Sequence, residues 1–293
     1  MTRSNDPRIA VLIPSYNPGT ELQGTLDSLR GQAVPFRLFI VDDGSKQPGD
    51  YEALTAGMDA KIIRLPRNLG ITGAMNAGLS EIMAGSFDYI ARLDIGDFSA
   101  PERFAKQLSY MDLHSDVGIL GSAVEFRLFD AARALIGSKL LVFPLTPEDA
   151  AKRLQFNVAI IHPAMLIRRS VFEKLKAYSE NYPAAEDFDL LWRAHKAGFK
   201  LMNLSETLLI KEETPGSISQ KRRRQQIMSR LRIQWDNRDV LDPRCWIGLA
   251  KSIVTWALPA WAVHSLKFMM GKQRGRKMVG ATGFEPATPN PPD

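Results

Sequence analysis

Polar and acidic groups recur at the ends of short apolar runs along this chain, in a fixed order. Ile13-Pro14-Ser15-Tyr16-Asn17 closes the first run, and Leu38-Phe39-Ile40-Val41-Asp42-Asp43-Gly44-Ser45 closes the second. Tyr89-Ile90-Ala91-Arg92-Leu93-Asp94-Ile95-Gly96-Asp97 closes a third, and Ala185-Glu186-Asp187-Phe188-Asp189 comes last. In the first three a β-type run gives way to polar residues and a turn. That places the polar groups at the carboxyl ends of strands, where open α/β sheets bind ligands. Carboxylates gathered there suit a metal–diphosphate complex or the activation of a hydroxyl.

Each group has a chemical reading and a plainer one. Pro14 ends its strand because it has no N–H to donate, and Tyr16 can then cover a base, unless the segment is only a strand-to-helix turn. Asp42 and Asp43 can accept hydrogen bonds from a base N–H or a ribose hydroxyl, or close an Asx-turn on Gly44. The Gly-rich junction from Asn68 to Gly78 can face backbone N–H groups toward phosphate, with Arg67 beside it, or let a helix pack tightly on the sheet. Asp97 can serve a cation or cap the helix that starts near Pro101. Glu186 and Asp187 can aim a base into a cleft, or complement a helix dipole. His162 lies near Arg168 and Arg169, and a lone histidine is more often structural.

These groups need elements to hold them. Residues 8–13, 36–41, 61–65 and 87–93 read as strands. Between them, helices are predicted from Thr20 or Glu21 to near Gly31, over 51–58, and over 73–83. The alternation argues for a doubly wound, mostly parallel α/β sheet with all strand carboxyl ends on one edge. Further on, helices are expected from Pro101 to about His114, over 147–156, from Ser170, over 186–196, and from Ser219 to about Val240. Residues 117–129, interrupted by Gly121, 164–167 and 199–209 read as extended, and 211–219 as a loop. The domain plan is an α/β unit over 1–220 that carries these groups, a basic and apolar helical extension over 221–279, and a disordered tail over 280–293.

Composition limits the setting. The chain has 293 residues, is 45% hydrophobic, and carries 38 Lys and Arg against 32 Asp and Glu, a net charge of +6. The surplus sits toward the C-terminus, in Lys221 to Arg224 and in Lys272, Arg274, Arg276 and Lys277. It suits an anionic membrane surface or a solvated face better than nucleic acid. The single cysteine, Cys245, permits no intrachain disulfide, and no N-terminal leader is expected. The reading is cytoplasmic, or peripheral on the cytoplasmic face of a membrane. Residues 246–270 hold three of the five tryptophans, but Lys251, Pro259 and His264 interrupt any span of about 20 apolar residues. A helix lying in the membrane interface is expected, or one docked on the domain. The final 14 residues, Gly280 to Asp293, hold four of 18 prolines. A coding sequence for Gly283-Phe284-Glu285-Pro286 can contain the TTCGA core of a transfer-RNA T-arm, which suggests a reading frame running into a tRNA gene.

The ordered set of motifs resembles family 2 glycosyltransferases with the A-type, Rossmann-like fold, over roughly residues 8–220. Those enzymes transfer a sugar from a nucleotide diphosphate donor, usually with Mn²⁺ or Mg²⁺ and with inversion. The resemblance implies a saccharide or lipid-linked saccharide acceptor, a role in surface polysaccharide synthesis, and no nucleic-acid partner. It implies donor contacts at Pro14, Tyr16, Asn17, Asp43, Asn68, Asp94 and His162, and makes Asp187 the catalytic base. It implies metal-binding carboxylates at Asp94 and Asp97. The family pattern there is commonly Asp-Ala-Asp-Asp, and Gly96 replaces its third position. The segment from Thr214 to Arg224 resembles a loop that closes over the donor, hinged at Gly216. Gly96 also feeds the alternative of a degenerate nucleotide-sugar-binding module that does no chemistry.

Overall fold

The computed structural model describes residues 7–130, 132–213 and 222–257. The chain begins with β1 (Ile9–Ser15), α1 (Glu21–Arg30), β2 (Phe36–Asp42), α2 (Tyr51–Leu54), β3 (Ala60–Arg64), α3 (Gly70–Ala84) and β4 (Tyr89–Arg92). Ile9 through Ile13 are fully buried. They must be, because β1 lies between β2 and β4, parallel to both, and an inner parallel strand is covered on each face. Ala10 and Leu12 join one core cluster with α3, while Ile9, Val11 and Ile13 join another with α1. That alternation is the period of two expected of a strand. The β1/β4 border is a topological switch point, since the chain leaves β1 toward β2 and β3 and returns to β4 on the other side.

The second half supplies β5 (Asp97–Ser99), α4 (Arg103–Leu113), β6 (Val117–Phe129), β7 (Leu135–Leu141), α5 (Pro147–Leu154), β8 (Leu166–Arg168), α6 (Arg169–Leu175), α7 (Glu186–Lys196) and β9 (Lys200–Glu213). Strand order is β3-β2-β1-β4-β8-β6-β9-β5, with β7 paired to β6. Here the sheet is mixed. β8 runs antiparallel to β4 and β6, and β5 antiparallel to β9, while β6 and β9 run parallel. The connection from β4 to β5 carries the chain from the middle of the sheet to its far edge. Gly96 makes the turn at φ +89°, a backbone state that glycine adopts freely and a side chain resists.

Several local expectations are refined. The helix expected over 51–58 is a single turn, Tyr51–Leu54, and Gly57 at φ +77° ends the segment. Gly121 does not interrupt β6. A Cβ there would lie 2.2 Å from the Asn203 side chain and 2.3 Å from Ile160, so the glycine answers close packing. Residues 211–213 continue β9, where a loop was expected. β5 and β7 were not foreseen, being short in one case and largely exposed in the other.

α8 (Arg223–Asp236) and α9 (Pro243–Ala257) complete the described chain. Ile233 of α8 enters the main core, and Ser229 donates to the Pro183 carbonyl. α9 docks through Cys245, Gly248 and Leu249, with Gly248 closely against the Gln155 carbonyl. Its other side leaves Trp246, Ile247, Ile253, Val254 and Trp256 exposed. Among the described residues no helix is long and apolar enough to cross a membrane. The expectations for Thr214 to Lys221, for 258–279 and for the tail lie outside the described residues.

Candidate active site

One end of the candidate site is built from the loops after β1, β2 and β3. β1 delivers a half-buried Pro14 and an exposed Tyr16. Asn17, at φ +47°, accepts the N–H groups of Lys46 and Gln47 at 3.0 Å each, and its own N–H donates to Ser45 Oγ at 2.8 Å. Its side-chain oxygen therefore staples the β1 loop to the β2 loop. Asp42 accepts the Ser45 N–H, an Asx-turn. Asp43 is 3% exposed and accepts the Leu69 N–H at 2.6 Å. Burial pushes its pKa up, opposed by the N–H groups of Leu69 and Gly70. Asn68 accepts the Gly70 N–H and stays exposed beside Arg67. Gly78 settles α3 on the sheet, since a Cβ would stand 2.4 Å from Leu12. Arg222, just before α8, lies in the field of Asp43, so part of the basic run faces this end.

The other end is a charged cluster below β4. Arg92 is fully buried within an apolar strand and donates to Asp94 Oδ1 at 2.5 Å, with further bonds to the carbonyls of Leu12 and Leu93. Burial alone would raise Asp94, but Arg92 and Lys211 outweigh it and hold its pKa at about 2. Its side chain remains 31% exposed. Asp97 is different. The β5–β9 register sets it opposite Lys211, whose Nζ lies 3.0 and 3.1 Å from its two oxygens, and its side chain is 2% exposed. Burial pushes Asp97 up against the pull of Lys211. Burial works against charge on Lys211 too, but Asp97 and Asp94 prevail and keep it protonated.

His162, in a 3-10 turn at His162–Ala164, is buried, with Nε2 3.1 Å from the Tyr178 hydroxyl. Burial, then Arg92, depress its pKa to about 3. It is a neutral group behind Asp94, not a cation for phosphate. Asn76 holds Tyr178 by bonding both its backbone N–H and its carbonyl.

α7 brings the last carboxylates. Ala184 sits at φ +62°, a left-handed state costly for a residue with a Cβ, and turns the chain into the helix. Asp187 is half-buried and accepts the Phe188 N–H at 2.7 Å. Burial raises its pKa, Arg230 of α8 lowers it, and Asp94 adds a further rise. Glu186 is pushed up to about 7 by burial and by Asp187, and its Oε2 has no hydrogen-bond partner. Because Asp94 acts on both, the β4 and α7 carboxylates share one site.

The expected residues therefore form two neighbouring groups along the carboxyl edge. Arg92, Lys211, Tyr178 and Arg230 were missed by sequence reasoning. Arg92 had a signal, a charge inside an apolar strand, which is rare unless paired. Lys211 had none, since its pairing with Asp97 spans 114 positions. A divalent cation needs free oxygen ligands, and the donor set does not fit one. Asp97 gives both oxygens to Lys211, Asp94 gives one oxygen to Arg92, and Gly96 has no side chain. No group of three His, Cys, Asp or Glu suited to a metal occurs among the described residues.

A sequence profile for glycosyl transferase family 2 matches residues 10–176. The amylovoran biosynthesis glycosyltransferase AmsE of Erwinia amylovora is 29% identical over 207 residues, covering 68% of this chain and 74% of AmsE. The putative glycosyltransferase EpsE of Bacillus subtilis (strain 168) is 27% identical over 212 residues, 70% of this chain and 73% of EpsE. Among solved structures, S. aureus TarS 1-349 in complex with UDP-GlcNAc aligns with a TM-score of 0.64 at 17% identity, covering 91% of this chain and 77% of that one. The mannosyltransferase PcManGT from Pyrobaculum calidifontis, in complex with GDP-Man and Mn2+, gives 0.61 at 14% identity, with 93% and 76% covered. At such identities the structural likeness establishes the fold alone.

Proposed function

This chain belongs to glycosyl transferase family 2, an enzyme family, and we propose that it moves a sugar from a nucleotide diphosphate sugar to an acceptor hydroxyl with inversion. The observation that carries this reading is the electrostatic coupling of Asp94 to Asp187, beside the loops after β1 and β2 that Asn17 joins. Tyr16 covers the base and Asp43 accepts from the base or ribose, while Pro14, Asn17 and Asn68 shape the loops around them. Asp94 faces the ribose and diphosphate.

The step is a single in-line displacement. The acceptor oxygen attacks the anomeric carbon as the bond from that carbon to the phosphate oxygen breaks. The electron pair stays on the nucleoside diphosphate, and the acceptor proton passes to Asp187. A carboxylate whose pKa is raised toward neutrality is a better base than a solvated one, and burial does this for Asp187. A divalent cation, if bound beside Asp94, would supply charge neutralisation for the departing diphosphate. The paired state of Asp94 and Asp97 argues against that ion here, so no step is assigned to it.

The name of AmsE, an amylovoran biosynthesis glycosyltransferase, supports an acceptor in surface polysaccharide synthesis, a saccharide or its lipid-linked form. The apolar outer side of α9 supports peripheral attachment to an anionic membrane, on the cytoplasmic face where lipid-linked acceptors and nucleotide sugars meet. Residues 1–220 are assigned to catalysis, completed by α8 through Ile233 and Arg230, and attachment is assigned to α9. Transfer and donor-hydrolysis assays across UDP-, GDP-, dTDP- and ADP-sugars test the reading. Turnover of at least one donor is expected. Nucleotide binding without transfer or hydrolysis of any of them would replace it with the binding-module reading that Gly96 favours.

A further inference from the structure

The pair formed by Asp97 and Lys211 is lopsided. Asp97 is sealed at 2% exposure while the lysine side chain is 24% exposed. Of the pair, the ammonium is the member that solvent reaches. An ammonium has three N–H donors, and the two hydrogen bonds to Asp97 use two of them. The same bonds fix the ammonium in place, and Asp94, the open carboxylate below β4, lies within its field.

Charge bookkeeping sharpens the point. Arg92 is matched with Asp94, and Lys211 with Asp97. Asp94 and Asp97 therefore each already have a cation, while Glu186 and Asp187 of α7 are pushed toward protonation. A divalent ion would enter beside two fixed positive groups, and like charges at such range repel strongly in a poorly solvated site. Gly96 adds no ligand, and its φ of +89° resists an aspartate in that position.

From this geometry we infer that Lys211 receives the leaving diphosphate of the donor directly, in the role that a divalent cation would otherwise fill. The inference rests on the donor reading above and deepens it. As the bond between the anomeric carbon and the phosphate oxygen breaks, negative charge grows on that oxygen. Lys211 stabilises it without giving up a proton. Because Asp97 has already oriented the ammonium, little reorganisation accompanies the step, which is the condition under which a fixed charge is most effective. Donor binding then requires no divalent cation.

Calorimetry on the full chain tests this with UDP, GDP, dTDP and ADP and the matching monophosphates, each in EDTA and in millimolar Mn²⁺. For whichever diphosphate binds, affinity should be equal in the two buffers. Lys211→Ala should weaken the diphosphate by about tenfold or more, the loss of a charge-assisted hydrogen bond, and the monophosphate far less. Lys211→Arg should restore most of the difference. A tenfold loss on chelation that Mn²⁺ reverses would overturn the inference, and that arm needs no variant, so it stands even if Lys211→Ala fails to fold. Equal losses for mono- and diphosphate, unrescued by arginine, would also overturn it, by returning Lys211 to a structural role. Binding of no diphosphate in either buffer would instead remove the donor reading, and this inference with it.

Discussion

The two ends of the site are held by different physics. At the nucleoside end, polar side chains bind backbone N–H groups. Asp42 serves Ser45, Asn17 serves Lys46 and Gln47, and Asp43 serves Leu69. At the charged end, carboxylates are matched with cations, and the critical partner comes from the last strand of the sheet. The first arrangement fixes loop shape and leaves side chains such as Tyr16 exposed. The second sets electrostatics, holding Asp94 ionised while Glu186 and Asp187 are pushed toward protonation. A donor's neutral base and its charged diphosphate call for this division.

The contrast breaks most sharply at the base. Asp187→Asn keeps the shape but cannot accept a proton, so kcat should fall by about 10²–10⁴-fold with nucleotide affinity nearly intact. Steady-state kinetics beside calorimetry check this, and unchanged turnover would mean that the charged end does not contain the base.

Removal of a carboxylate should cost more at the charged end than at the nucleoside end. Asp97→Ala leaves Lys211 without its counter-ion in a largely enclosed place, a loss on the order of 3 kcal/mol of stability, measured by denaturant unfolding. Asp43→Ala leaves the Leu69 N–H unpaired and removes a nucleoside acceptor, so nucleotide affinity should weaken by about 1–3 kcal/mol. If Asp43→Ala leaves nucleotide affinity unchanged, its carboxylate only shapes the loop.

The two ends should also differ in pH response. Glu186 has a folded pKa near 7 against an ordinary 4.5. The folded state therefore holds the proton more tightly, and stability falls as pH rises from the ordinary value through 7. Glu186→Gln should flatten that slope, a relative gain on the order of 1–2 kcal/mol at pH 7.5, read as a smaller shift in unfolding midpoint between pH 5 and 7.5. An unchanged slope would show that burial does not set this carboxyl.

The smallest effect concerns the outer face of α9. The full chain should sediment with anionic vesicles at low salt and release as salt rises, because exposed charges are screened beyond about 8–10 Å. A chain ending at Asp242 should stay folded, since Ile233 of α8 is retained, and should not sediment. Salt-independent pelleting, or none from either form, would each count against surface attachment.

Much of this was legible in the sequence for physical reasons that act locally. An inner strand covered on both faces is mostly apolar, so β1, β2 and β4 were visible as runs, and each polar group that follows falls at the carboxyl edge. Helical periodicity and the Glu186 start with Gly198 beyond its end delimited α7. The motif order alone sufficed to identify the family. Other features depend on strand order, which composition does not encode. Only the sheet places β5 on β9, and so gives Asp97 to Lys211. Only the packing around Tyr178 makes His162 neutral, and only α8 brings Arg230 into the field of Asp187. Local pattern fixes which residues reach the edge of a sheet; the charge each one carries there is set by neighbours distant in sequence, through burial and Coulomb interaction that exist only once the chain has folded.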